Sequence, residues 1–502
     1  MIRPRARLTP TSLRAVLPRP GVTGPPDGDL GRRIGVLHLG IGAFHRAHQA
    51  VFTEDAAAAT GAEGWGICGV TQRSPRVADE LMGQGFRYGV LERGASARSL
   101  RIVGQVGEAL HPARDGERLA ARFADPDVRV ITLTVTEKGY RRDGRGRLDL
   151  ADGAVRADLA GAAPAVTTIG VLARGLQRRA ALTAAPITVL TCDNLTGNGR
   201  VLAGLVADFC GALPTAEGER LAAWIDGNVT FPNSMVDRIV PATTDEDHAD
   251  AEALLALRDA GLVVAEPFRQ WVVEDRFATD RPAWERAGAQ LVADVEPFEQ
   301  LKLRMLNGTH SMLAYLGALT GHATIAEALA DPVLAEAAEQ LLEQDVAPTL
   351  TPPPGVDVGA YGRSVLDRFA NPALRHRTTQ VAMDGSQKLP LRLLGTVQDG
   401  LAAGRTPRRA IRAVAGWMAY VALGRDRAGA PLPLDDPLAD RLRLAVADAR
   451  GAAATARALL GIEAIFPPAL AATGAFVDCV TDELAELLAT AAPAAGPAAD
   501  LR

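Results

Sequence analysis

IGVLHLGIGAFHRAHQAVFTED, residues 34–55, begins as one kind of structure and ends as another. Ile34 to Leu39 is a short apolar run, the pattern of a strand buried on both faces of a parallel sheet, and from Ala43 onward the pattern turns helical. Gly40-x-Gly42 therefore sits at a strand-to-helix turn. Glycines there let the backbone approach a pyrophosphate, and the helix that follows offers free N–H groups. This selects Gly40, Gly42, Ala43, Phe44 and His45 as dinucleotide-binding candidates. The third glycine of a GxGxxG fingerprint is absent and His45 stands in its place, so the pair alone fits a tight turn as well as a cofactor site. His45 and His48 are spaced HxxH. No third ligand type stands at a familiar metal spacing, and the two histidines read as first-turn residues along the cofactor crevice.

Outward from this stretch, Trp65 to Val70 is the next strand of a βαβ unit. Its end, where an acidic residue grips the adenosine ribose of NAD, reads Thr71-Gln72-Arg73-Ser74-Pro75-Arg76. No carboxylate is present. Arg73 and Arg76 suit a 2′-phosphate or are solvated arginines, which leaves NAD and NADP both open. Residues 85–105 read as a hairpin excursion from the sheet. Val128 to Val135 is a β-branched run ending in Thr136-Glu137-Lys138-Gly139-Tyr140. Charged residues at the carboxyl end of a parallel strand face the ligand crevice, which makes Glu137 a substrate-site candidate. By the same logic ITVLTC, 187–192, leads to Asn194, whose amide can donate to a substrate oxygen. Asn198, followed by Gly199, reads as a turn residue. In NVTFPNSMVDRIVP, 228–241, Asp237 is either half of a buried ion pair with Arg238 or a contact to a substrate hydroxyl.

From about Pro297 the chain is rich in Ala and Leu at helical spacing, interrupted at Thr351–Gly355. KLRMLNGTHS, 302–311, concentrates Lys302, Asn307 and His310. The whole chain has three lysines, Lys138, Lys302 and Lys388, and the remaining 51 of its 54 basic residues are arginine. Arg stays charged whereas a desolvated Lys can release its proton, so a lysine kept under such a bias marks a place where titration matters. In an α-helix Lys302, Asn307 and His310 share an arc of roughly 140°. Lys388, between Gly385 and Pro390, reads as a loop cation able to reach into a cleft.

At 502 residues the chain exceeds one ordinary hydrophobic core, and two domains are expected: a Rossmann-type α/β domain over 1–293 and a mostly α-helical domain over 294–502. A net charge of −5 carries no bias towards nucleic acid or membrane. The four scattered cysteines read as reduced thiols of a cytoplasmic enzyme, with no metal spacing. No apolar run is long enough for a membrane span, and the amino terminus lacks the apolar segment of a signal peptide.

GIGAFHRAHQAVF, TVTEKGY, CDNLTGNG, FPNSMVDRIVP, EPFRQWVVEDRF, KLRMLNGTHS and DGSQKLPLR together resemble the mannitol dehydrogenase family, with the fructuronate-reducing branch most similar. The resemblance covers about residues 33–420. It implies a Rossmann-type and a helical domain, a site in the cleft between them, and metal-independent hydride transfer with NAD, NADP being left open. The implied substrate is a small sugar acid or polyol, and the implied assembly is a monomer or small homo-oligomer. It implies that Lys302 is the general acid/base, that Asn194 and Asn307 supply the amides around the reacting oxygen, and that His310 orients lysine or substrate. Glu137, Asp237, Lys388 and Arg377 are the substrate-binding candidates. Where mannitol 2-dehydrogenases carry a substrate-binding arginine, four residues before the Asp of the DGS motif, this chain has Gln380. Arg375 and Arg377 lie just upstream, which points to a sugar acid over mannitol. The alternative is a mannitol, or mannitol 1-phosphate, dehydrogenase.

Overall fold

The computed structural model describes residues 6–26, 33–95 and 97–491, with the side chains of Glu137 and Ala491 also outside the described set. By contact the chain divides into Met1–Glu296 and Pro297–Arg502. The first unit contains the strands β1 (Val22–Thr23), β2 (Ile34–Leu39), β3 (Gly66–Val70), β4 (Tyr88–Arg93), β5 (Arg98–Val103), β6 (Val106–Leu110), β7 (Val130–Leu133), β8 (Ile187–Thr191), β9 (Val229–Thr230), β10 (Ser234–Asp237), β11 (Val263–Ala265), β12 (Gln270–Glu274) and β13 (Gln290–Val292). Six of these form a sheet of order β6-β3-β2-β7-β8-β9, parallel throughout. Every residue of β2, β3, β7 and β8 is buried, as expected for strands covered on both faces. Helices Pro112–Ala124, Thr168–Leu182 and Asn198–Ala212 supply part of that cover, and Leu119, Phe123, Leu172, Leu176, Leu202 and Phe209 share one core with the strands.

The excursion predicted over 85–105 is the antiparallel pair β4–β5. It is more than a hairpin. β1 adds to one edge and β11 to the other, giving a separate four-stranded sheet, β1-β5-β4-β11. A third sheet, β10-β12-β13, places Asp237 opposite Gln270.

The second unit is helical. Helix Thr309–Thr320 is buried over residues 309–319 and packs on Arg408–Leu423, itself packed on Gly474–Ala491. Three segments, Lys302–Gly308, Leu341–Val346 and Pro390–Leu394, are π-helical. Among the described residues no helix is long and apolar enough to cross a membrane.

Candidate active site

Gly40 ends β2 at φ +101°, a conformation a side chain rarely adopts, and a Cβ there would collide with the Thr134 carbonyl. Its N–H and that of Ile41 both donate to the Val70 carbonyl, at 2.8 and 3.1 Å, which pins the turn to the end of β3. Gly42, exposed, is the N-cap of the helix Ala43–Ala47, and nothing but its own turn lies near the place a Cβ would occupy. This open, glycine-lined turn at the carboxyl ends of parallel strands fits a pyrophosphate. Ala43 and Phe44 are half-buried beside it.

His45 differs from the expectation. Its ring is fully buried and stacks on His38 of β2, with centroids 3.4 Å apart. The ring thus fills the helix–strand space that a third glycine would have closed, and it does not line the crevice. His38 bridges to Thr132 Oγ1 at 2.7 Å and Thr134 Oγ1 at 2.9 Å. His48, likewise buried, ends the short first helix and meets the Gln270 carbonyl through Nε2 at 2.8 Å. Burial lowers all three: His38 and His48 to about 3, and His45 well below the usual imidazole range.

At the ends of β7 and β8 the carboxylate of Asp193 accepts the backbone N–H of Val135 (2.9 Å) and Thr136 (2.8 Å) and the hydroxyl of Tyr140 (2.7 Å). Thr136 has φ +70°, so Asp193 holds a strained residue at the start of the turn Glu137–Tyr140. The backbone of Glu137 belongs to that turn, while its side chain lies outside the described residues. Asn194, next to Asp193, is exposed. Asn198 is architectural: its Nδ2 reaches the carbonyls of Asp193 (3.0 Å) and Ser234 (2.8 Å), and its Oδ1 accepts the Ser234 N–H. Of the suggested Asp237–Arg238 pair, the arginine is engaged elsewhere. Alternation along β10 sends neighbours to opposite faces. Arg238 pairs with Glu92 at 2.6 Å and caps the Glu266 carbonyl at 2.9 Å. Asp237 remains buried, close enough to His48 for its charge to act on that ring.

In the second unit, Lys302, Asn307 and His310 are buried, at 5%, 6% and 7% exposure. The expected α-helical spacing is corrected here, because Lys302–Gly308 is a π-turn. Its hydrogen bonds close at i+5 instead of i+4, so Lys302 and Asn307 lie across one turn from each other, where an α-helix would separate them by about 140°. Asn307 and His310 are i,i+3 neighbours as the helix resumes. Lys388 is also corrected. It lies in the helix Gly385–Leu389, not a loop, and its Nζ donates to the Val381 carbonyl at 3.2 Å. The two π-turns, Lys302–Gly308 and Pro390–Leu394, pack together.

His310 stacks on Phe369 at 4.6 Å and meets His376 edge-on at 4.8 Å. Burial first, then the charges of His376, Arg392, Lys388 and Arg368, drive its pKa well below the imidazole range. Arg392 also donates to Ser311 Oγ at 3.1 Å. Arg377, chosen from sequence, is exposed at the start of the helix Thr378–Ala382. Arg368 and Arg392 escape sequence reading because nothing separates them from 49 other arginines.

Residues 34–286 match the model of the mannitol dehydrogenase Rossmann domain, and 294–488 that of the mannitol dehydrogenase C-terminal domain. The chain is 45% identical over 451 residues to D-mannonate oxidoreductase of Escherichia coli, covering 89% of this chain and 91% of that protein. It is 37% identical to a mannitol 2-dehydrogenase of Pyrenophora tritici-repentis, covering 83% and 74%. Among solved structures, the Pseudomonas fluorescens mannitol 2-dehydrogenase ternary complex with NAD and D-mannitol aligns with TM-score 0.88 and 34% identity, over 97% of this chain and 98% of that one.

Proposed function

Because the chain belongs to the mannitol dehydrogenase family, we propose that it is an NAD-dependent oxidoreductase that interconverts the ketone and alcohol of a sugar acid of the fructuronate/mannonate type. The observation that carries the substrate class is the concentration of positive charge around His310 from Lys388, Arg392 and Arg368, together with Gln380 in place of an arginine that serves neutral polyols. A carboxylate needs such a cation. Held by one desolvated, hydrogen-bonded partner it gains roughly 1.5–3 kcal/mol, about 10- to 100-fold in specificity.

The nicotinamide supplies or accepts the hydride. Lys302 supplies the proton to the carbonyl oxygen in reduction and, neutral, takes it back in oxidation. Asn307, one π-turn along, and Asn194, at the end of β8, donate amide N–H groups to the oxygen as charge develops there. His310, kept neutral by its surroundings, orients the lysine or a substrate hydroxyl, and Asp237 and Glu137 serve as hydroxyl acceptors. No step requires a metal. The four unpaired cysteines suit a reducing, cytoplasmic setting.

The test is kcat/KM for fructuronate against fructose with NADH. We expect fructuronate to lead by at least about tenfold, and Lys388→Met to shrink the ratio by removing the advantage of the acid. The whole-chain likeness to a mannitol-bound structure favours a neutral polyol as the second reading. Faster turnover of fructose or mannitol than of the acid would establish it instead.

A further inference from the structure

His376 follows Arg375, whose backbone has φ +47°, a left-handed conformation that a side chain adopts only at a cost. Hydrogen bonds on both sides offset it. Asn371 Oδ1 accepts the Ala373 N–H at 3.0 Å and opens the turn Pro372–Leu374. Further along, the His376 carbonyl accepts the Ile325 N–H at 2.9 Å, and the Thr378 N–H donates to the Ala323 carbonyl at 3.1 Å. Residues 323–325 come directly after the helix Thr309–Thr320 that carries His310. Both rings are thereby held to one framework, and they meet edge-on at 4.8 Å. Each has one nitrogen, Nε2 of His310 and Nδ1 of His376, that is buried and has no hydrogen-bond partner among the described residues. A buried polar atom left unpaired is costly, and folded chains keep few of them. Packing accounts for the contact between the rings but not for two unpaired nitrogens on them. Burial, then the charge of Lys388, lowers His376 to about 4, and Lys388 acts on His310 as well. At neutral pH both are uncharged imidazoles beside a cation, each with one N–H to donate and one nitrogen to accept.

We propose that His376 binds the substrate alongside His310, its Nδ1 pairing with an oxygen of the sugar. The inference rests on the reading of Lys302, Asn307 and His310 as the reaction site. In a sugar acid the carboxylate, drawn to Lys388, is the group that suits this position. The ring forms no bond in the reaction and passes no proton, so its loss weakens ground state and transition state alike. Such a loss shows in KM and leaves kcat in place.

Steady-state kinetics of the full-length enzyme with NADH tests this. KM is read on whichever of fructuronate and fructose the unmodified enzyme uses with the higher kcat/KM, so failure of the sugar-acid reading does not decide the case of His376. His376→Phe keeps a ring against His310 and removes both nitrogens. Its KM is expected to rise about tenfold, with kcat within about twofold. His376→Asn sets an amide where Nδ1 stood and should hold KM within about threefold. Should the Phe variant fail to fold, His376→Gln makes the same comparison, since its amide stands nearer the Nε2 position and should lose what Asn keeps. A KM within about twofold of the unmodified enzyme in His376→Phe overturns the proposal. So does an equal loss in the Asn variant and its comparison partner, or a fall in kcat at unchanged KM, either of which would make His376 a support for the ring of His310. The reaction-site reading fails separately, if Lys302→Ala keeps its turnover.

Discussion

Lys302 is one of three lysines in a chain that otherwise uses arginine, and it is buried. A guanidinium in its place would keep the charge and lose the proton transfer. Lys302→Ala is therefore expected to lower kcat by at least about 10²-fold, the usual share of general acid–base catalysis, with NADH affinity nearly unchanged. Lys302→Arg should fail almost as badly; near wild-type turnover in either variant would remove the lysine from the chemistry. At this scale legibility follows rarity. Lysine and asparagine are scarce here, so Lys302, Lys388 and Asn194 stand out in the text, whereas Arg368 and Arg392 gain meaning only from their proximity to His310. His38 is hidden for another reason: a histidine inside an apolar strand gives no sign that a second histidine will stack on it.

Elements were legible where burial makes them continuous. The all-apolar runs of β2, β3, β7 and β8 read directly as inner strands, but β1, β9 and β11, two or three residues long, exist only through partners distant in the chain. The π-turns were invisible because the same residue types build α- and π-helix, and the choice is made by packing. Gly308 shows how. Its backbone is helical (φ −64°, ψ −52°), and a Cβ there would stand 2.9 Å from the Arg392 carbonyl of the facing π-turn. In an ordinary helix interior Gly→Ala stabilises by roughly 0.5–1 kcal/mol. At Gly308 the sign should invert, because the methyl must push one backbone away from another, an overpacking cost of about 1–3 kcal/mol. Urea unfolding of Gly308→Ala checks the sign, and kcat should fall with it as Lys302 and Asn307 are displaced relative to Lys388. A stabilised variant would show that the two turns are not in tight contact.

For the molecule as a whole, four buried histidines and the half-buried His376 set an acid limit. His38, His48 and His376 are lowered to about 3, 3 and 4, and His45 and His310 well below the normal range, in each case chiefly by burial. Their folded pKa values lie below the unfolded value, so the unfolded chain binds more protons in acid. Stability is therefore complete above about pH 6.5 and is lost as pH falls below it, by up to about 1.4 kcal/mol per pH unit for each histidine. Between pH 6.5 and 5, above the range where most carboxylates titrate, the urea midpoint should fall clearly; a constant midpoint would mean that these rings accept protons without unfolding. The four-stranded sheet has a different kind of consequence, one of timing. Its hairpin is complete at Val103, but its last strand ends at Ala265, and the core beneath it joins Leu8 and Leu13 to Leu255 and Val264. On a ribosome adding about 5–20 residues per second, the β4 edge of that hairpin waits roughly 10–30 s for β11, whereas β1, the partner of the other edge, is already made. For that interval the nascent chain carries an unpaired strand edge, and a chaperone that shields it is working against a delay written into the order of the strands.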